Sequence, residues 1–120
     1  MSADEEADKR PMSLDFASRS HVGERNYQED SCAFAPTETF VLAVLADGMG
    51  GHAAGEIASK LAVENFIGYF LSSNAEEHFR FGSALASANL AIKHSIEQNP
   101  AQDGMGCTLT AVLATDEGLH

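Results

Sequence analysis

An unbroken apolar run, Thr39-Phe40-Val41-Leu42-Ala43-Val44-Leu45-Ala46, gives way without a spacer to Asp47-Gly48-Met49-Gly50-Gly51. A run of that kind reads as a strand covered on both faces. It is expected to end at Asp47, where three closely spaced glycines open backbone angles closed to other residues. A second such run, Cys107-Thr108-Leu109-Thr110-Ala111-Val112-Leu113-Ala114, reads the same way. Two buried strands that far apart in the chain demand layers of other structure to cover them.

Two helices lie between them. Over about Ala53 to Leu71, the residues Ala54, Ile57, Ala58, Leu61, Ala62, Phe66 and Tyr69 recur at helical spacing, and Val63, Ile67 and Phe70 widen the stripe. Over about Glu76 to Gln98, Phe81, Leu85, Ala88, Ile92 and Ile96 share one face, opposite Ser83, Ser87, His94 and Glu97. Asn99-Pro100 ends that helix, since proline disfavours helix at the residue before it. Upstream, Ser31 to Ala35 reads as a short strand closed by Pro36, and Leu14 to Arg19 as weakly strand-like. His21 to Asp30 reads as a loop, and residues 1–13, with Asp4, Glu5, Glu6 and Asp8, as a disordered acidic tail. Gln102 to Gly106 is a further glycine-bearing loop, and Asp116 to His120 falls where a hairpin would turn. The order strand, strand, helix, helix, strand is α+β. Residues 14–120 form one domain, expected to be the first half of a larger one, because two long helices need more sheet than these strands provide.

Acidic residues number 18 against 7 basic ones, a formal charge of −11. Repulsion from phosphate then dominates any general contact with DNA or RNA, so no nucleic-acid partner is expected. An acidic surface suits divalent cations or plain solubility, and composition does not separate the two. The sequence contains no apolar stretch of membrane-spanning length and no apolar segment of signal-peptide type at its N-terminus. Cys32 and Cys107 are too few and too distant for a disulfide framework. A soluble, cytoplasmic chain without a membrane partner is the expectation.

Asp47 is the leading candidate for chemistry. A carboxylate at the end of a rigid strand, beside the uncovered carbonyl of Gly48, offers the oxygen ligands that Mg²⁺ and Mn²⁺ prefer. A lone Asp-Gly is ordinarily just a turn. Here Glu29 and Asp30 stand in a polar loop upstream with Arg25 four residues before Glu29, and carboxylates with one arginine make a cation-and-phosphate site. Other chemistry is less well supported. Gly48-Met49-Gly50-Gly51 matches neither phosphate-loop pattern. His52 and Glu56 are four apart but lack a third ligand, so Glu56 reads as a first-turn residue favoured by the helix dipole. Cys107 has no identifiable base, and His21, His78, His94 and His120 read as surface or packing residues.

Three segments carry a resemblance: Gly23-Glu24-Arg25-Asn26-Tyr27-Gln28-Glu29-Asp30, Leu45-Ala46-Asp47-Gly48-Met49-Gly50-Gly51-His52 and Gly106-Cys107-Thr108-Leu109-Thr110-Ala111-Val112. In order and spacing they resemble the metal-dependent protein phosphatases (PPM, type 2C), bacterial branch. The resemblance implies a four-layer α/β/β/α sandwich, two antiparallel sheets flanked by helices, here truncated to about its first half. It also implies a centre of two Mn²⁺ or Mg²⁺ ions. Asp47 would bridge them, the Gly48 carbonyl would complete one shell, and Glu29 and Asp30 would hold metal-bound water. Arg25 would clamp the substrate phosphate, and Thr108 would support the site. The implied reaction is hydrolysis of phosphoserine or phosphothreonine in a phosphoprotein, the product of a Ser/Thr kinase, without a covalent phosphoenzyme.

Two departures matter. Met49 stands where many eukaryotic relatives have a histidine that serves as general acid, and methionine cannot donate a proton; His52 is the nearby candidate, and a metal-bound water is the alternative. The remaining metal-binding aspartates of the family belong to motifs beyond the point reached by this sequence. The 120-residue chain alone is therefore expected to hold metal weakly and to be inactive. The competing readings are a non-catalytic or degenerate phosphatase-like module that binds a phosphoprotein or partner, and a small cation-binding protein.

Overall fold

The computed structural model describes residues 17, 19, 21, 28–51 and 53–120. The acidic tail, most of the segment 14–27, Arg25 and His52 lie outside the described residues. The elements run β1 (Asp30–Pro36), β2 (Phe40–Met49), α1 (Ala54–Ser72), α2 (Glu77–Gln98), a 3₁₀ turn (Pro100–Gln102), β3 (Gly106–Thr115) and β4 (Gly118–Leu119). The α+β order anticipated from the sequence, strand, strand, helix, helix, strand, is observed, with the short β4 added after β3. The strands form one antiparallel sheet in the order β1-β2-β3-β4. Among the described residues no helix is long and apolar enough to cross a membrane.

Alternation along β2 decides which side of the sheet the helices occupy. Leu42, Val44, Ala46 and Gly48 are buried, whereas Leu45, Asp47 and Met49 are exposed. Register carries this across the sheet: Leu113 lies opposite Leu42, and Ala35 belongs to the same inner layer. That layer packs against Ala62, Val63, Phe66 and Phe70 of α1 and against Ala84 and Ala88 of α2. The expectation that β2 is covered on both faces holds for one face among the described residues; Leu45 on the other is 52% exposed.

Side-chain size tapers along this interface. At one end Phe70 meets Phe40 at 5.9 Å, Phe81 at 5.2 Å and Phe66 at 6.2 Å between ring centroids. At the other end the buried residues of α1 are Ala54, Gly55, Ala58 and Ser59. Large rings hold the helix off the sheet where β2 begins, and small residues let it close onto β2 where the strand ends. That closure builds the end of the sheet that carries Asp47.

Candidate active site

Strand β2 does not stop at Asp47. Pairing continues through Met49, with Asp47 opposite Asp30 of β1 and Thr108 of β3. The glycine block therefore works differently from the expectation of a turn beginning at Asp47. Gly48 sits in the strand, and what excludes a side chain there is proximity: a Cβ would stand 1.9 Å from the Gly55 carbonyl oxygen and 2.7 Å from that of Glu29. Of the three glycines, Gly50 alone has a positive φ, 151°. The chain then reverses into α1 through Ala53, whose left-handed backbone (φ 68°, ψ 9°) precedes the first turn. Glu56 lies in that first turn, as the sequence suggested.

This arrangement brings Asp30, Asp47 and Thr108 into one cross-strand row on the exposed face of the sheet. Carboxylates directly opposite each other on neighbouring strands repel, and a cation between them offsets that repulsion. Glu29 is separated from Asp30 by the strand alternation and projects toward the helix side. Its Oε1 lies 2.8 Å, and its Cδ 2.9 Å, from the point a Cβ on Gly55 would occupy. The carboxylate thus rests against the first turn of α1, where the helix macrodipole is positive. The Gly48 amide donates to the Glu29 carbonyl at 2.9 Å, which ties the residue before β1 to the end of β2. One helical turn beyond Gly55, the fully buried Ser59 hydroxyl meets that of Ser31 at 3.0 Å.

Met49 lies on the same sheet face as Asp47 and is exposed. Beside Asp30, along the outer edge of β1, is a cavity of about 580 Å³ whose wall includes Arg19, His21 and Lys60. Arg19 and Lys60 therefore stand beside Asp30, in a wall that also holds Glu64. Sequence reading missed this wall, because Lys60 is separated from the motifs by a turn of α1 and no local signal marks it. Cys107 is half-buried on the helix side, and burial pushes its thiol up from the ordinary value, which disfavours the nucleophilic thiolate.

The donors suit a hard divalent cation: Asp30, Asp47 and Glu29 carboxylates and the Gly48 carbonyl are all oxygen. The close fit of Glu29 into the space at Gly55 shows that one of these carboxylates has a prepared location. Among the described residues no three His, Cys, Asp or Glu side chains converge on a single point, so these donors are a partial set.

The sequence pattern of protein phosphatase 2C matches residues 17–120. The chain is 36% identical over 101 residues to the serine/threonine protein phosphatase PstP of Mycobacterium tuberculosis, covering 83% of this chain and 19% of PstP. It is 38% identical over 77 residues to the protein phosphatase PhpP of Streptococcus pneumoniae, covering 61% of this chain and 31% of PhpP. The crystal structure of the PstP catalytic domain in complex with two manganese ions superposes with a TM-score of 0.62 at 38% identity, over 74% of this chain and 37% of that one. This chain thus spans well under half the length of these relatives. A match over so much of its own length, in both sequence and fold, places the chain in the protein phosphatase 2C family.

Proposed function

We propose that this chain is the N-terminal part of a metal-dependent serine/threonine protein phosphatase, hydrolysing phosphoserine and phosphothreonine in proteins at a centre of two Mn²⁺ or Mg²⁺ ions. The observation that carries this reading is the placement of Asp47 opposite Asp30 at the end of the sheet, with Gly48 beside it and Glu29 against α1. Two manganese ions in the PstP catalytic domain support the metal. The second sheet and outer helices of a four-layer sandwich, with the remaining metal-binding aspartates, belong to this proposal. So do a phosphoprotein substrate made by a Ser/Thr kinase and a cytoplasmic setting, with which two free cysteines agree.

A pair of bound divalent cations supplies Lewis-acid charge and lowers the pKa of water enough for attack on phosphorus at neutral pH. The chain's own residues do the rest. Asp47 and the Gly48 carbonyl would hold the ions. Glu29 and Asp30 would accept hydrogen bonds from metal-bound water. Arg25 holds the phosphoryl dianion by paired N–H donors, a geometry lysine does not reproduce. Met49 has no proton to give the departing alcohol, so that proton would come from His52 or from a metal-bound water.

Asp47→Asn in the full-length protein tests the assignment. It removes one charge at an exposed position, so the fold should survive. Manganese-dependent hydrolysis of a phosphothreonine peptide should fall by more than about a hundredfold, beyond what loss of an outer-shell partner costs. Undiminished hydrolysis would refute the proposal, and phosphopeptide binding without turnover in the wild type would favour the non-catalytic module.

A further inference from the structure

Gly55 has no conformational reason to be glycine. It is buried within the first turn of α1, and its φ is not among the positive ones. Alanine at such a position is better by about 1 kcal/mol. What the position requires is space, because a Cβ would stand 2.8 Å from Glu29 Oε1, 2.9 Å from its Cδ and 3.0 Å from the Met49 amide nitrogen.

We infer that Gly55 is a positioning residue: the side chain it lacks is the seat that holds the Glu29 carboxylate at a fixed height beside the Asp47-Gly48 strand end. The inference rests on the metal-centre reading above. Its geometry is set from three sides. The Gly48 amide donates to the Glu29 carbonyl at 2.9 Å, which fixes the backbone of residue 29. Ser59 donates to the Glu56 carbonyl at 3.1 Å, so its contact with Ser31 at 3.0 Å is one in which Ser31 donates. That contact fixes β1 against α1 two residues further on. The space left at Gly55 then sets where the Glu29 carboxylate rests against α1. The carboxylate comes to rest at the positive end of a helix, from where it would orient water bound to a cation.

Of the three atoms nearest a methyl group at position 55, two belong to the far end of the flexible Glu29 side chain and the third is the Met49 backbone nitrogen at 3.0 Å, so Gly55→Ala should fold with Glu29 displaced and the end of β2 eased by a few tenths of an ångström. The test is Mn²⁺ affinity of the full-length protein, by calorimetry and by the paramagnetic resonance of free manganese. The variants are Gly55→Ala, Glu29→Ala, the double variant, Glu29→Asp and Asp47→Asn. Gly55→Ala and Glu29→Ala should each weaken Mn²⁺ about tenfold, and the double variant should be no weaker than Glu29→Ala. Glu29→Asp keeps the charge, leaves α1 untouched and retracts the carboxylate from the seat; it too should lose about tenfold. Wild-type affinity in Gly55→Ala or Glu29→Asp, or additive losses in the double variant, would overturn the seat. Retained Mn²⁺ binding in Asp47→Asn would instead overturn the metal-centre reading, and the seat with it. Loss on Asp47→Asn with a silent Gly55→Ala would refute the seat alone.

Discussion

Ala53 is the one described non-glycine residue with a left-handed backbone, φ 68° and ψ 9°, and it stands between the glycine block and α1. An L side chain in that region costs about 1–2 kcal/mol. Strain of this kind persists where the surroundings over-determine the backbone, and here Gly48 packs against the Gly55 carbonyl while the Ala54 amide donates to Gly51. Ala53→Gly should therefore stabilise the protein by about 1 kcal/mol in urea unfolding, a sign opposite to that of glycine placed in an ordinary helix. Destabilisation would mean that the reversal relaxes by another route. The contrast with Gly48 shows what was legible at this scale. A cluster of glycines announces that the backbone is special, but not whether the cause is a torsion, as at Gly50, or a neighbour, as at Gly48 and Gly55. Neighbours are set by tertiary packing, which a local pattern does not contain. The acidic pair was legible as residues, yet its division between the two sides of the sheet depends on where β1 begins.

Apart from the end of β2, which runs on through Met49, and the short β4, read only as a hairpin turn, the elements were legible to within a residue or two, because their apolar spacing and the Asn99-Pro100 stop are local. The faces were less so. Ile57 and Tyr69, read as part of the buried stripe of α1, are 36% and 41% exposed, and Leu85 of α2 is 52% exposed. Helix α1 is apolar around most of its circumference, so periodicity left its rotation open. The taper from Phe70 to Gly55 then selected the side that closes on β2. A second element-scale feature carried no sequence signal at all. Arg80, in the first turn of α2, donates to the Phe70 carbonyl in the last turn of α1 and lays its guanidinium 4.2 Å above the Phe70 ring. It satisfies a carbonyl that the helix end leaves without an intrahelical partner, and it places positive charge at the negative pole of the helix. It is also 5.7 Å from the Phe40 ring, so one side chain joins both helices to the start of β2. Arg80→Ala should cost about 2 kcal/mol of stability. Arg80→Lys should cost about 1 kcal/mol, since the ammonium keeps the charge but not the flat stacking surface. Equal stability of Arg80→Lys and wild type would show that charge alone matters at this helix junction.

At the scale of the whole molecule, the sheet is two-sided and the described residues cover one side. Its outer face presents Leu45, Val112 and Thr110 together with the Asp30–Asp47–Thr108 row. A continuous apolar strand such as β2 is characteristic of sheets buried on both faces. The proposed second sheet of a four-layer sandwich would cover this face and enclose the carboxylate row at its edge. That relation between cover and chemistry could be read from the sequence only through the family motifs, because the described residues do not include such a cover. Leu45→Lys distinguishes the two situations in the full-length protein. On an open face, a lysine at a residue already 52% exposed should change stability by no more than about 0.5 kcal/mol. Beneath a second sheet, the same substitution buries an ammonium without a partner and should cost about 3 kcal/mol or more. We expect the larger loss in chemical denaturation, together with weakened Mn²⁺ binding, since a sheet lifted at Leu45 also displaces Asp47 two residues further along the same face. A near-neutral Leu45→Lys would mean that no second sheet lies over β2, and the metal site would then have to be completed from the strand end alone.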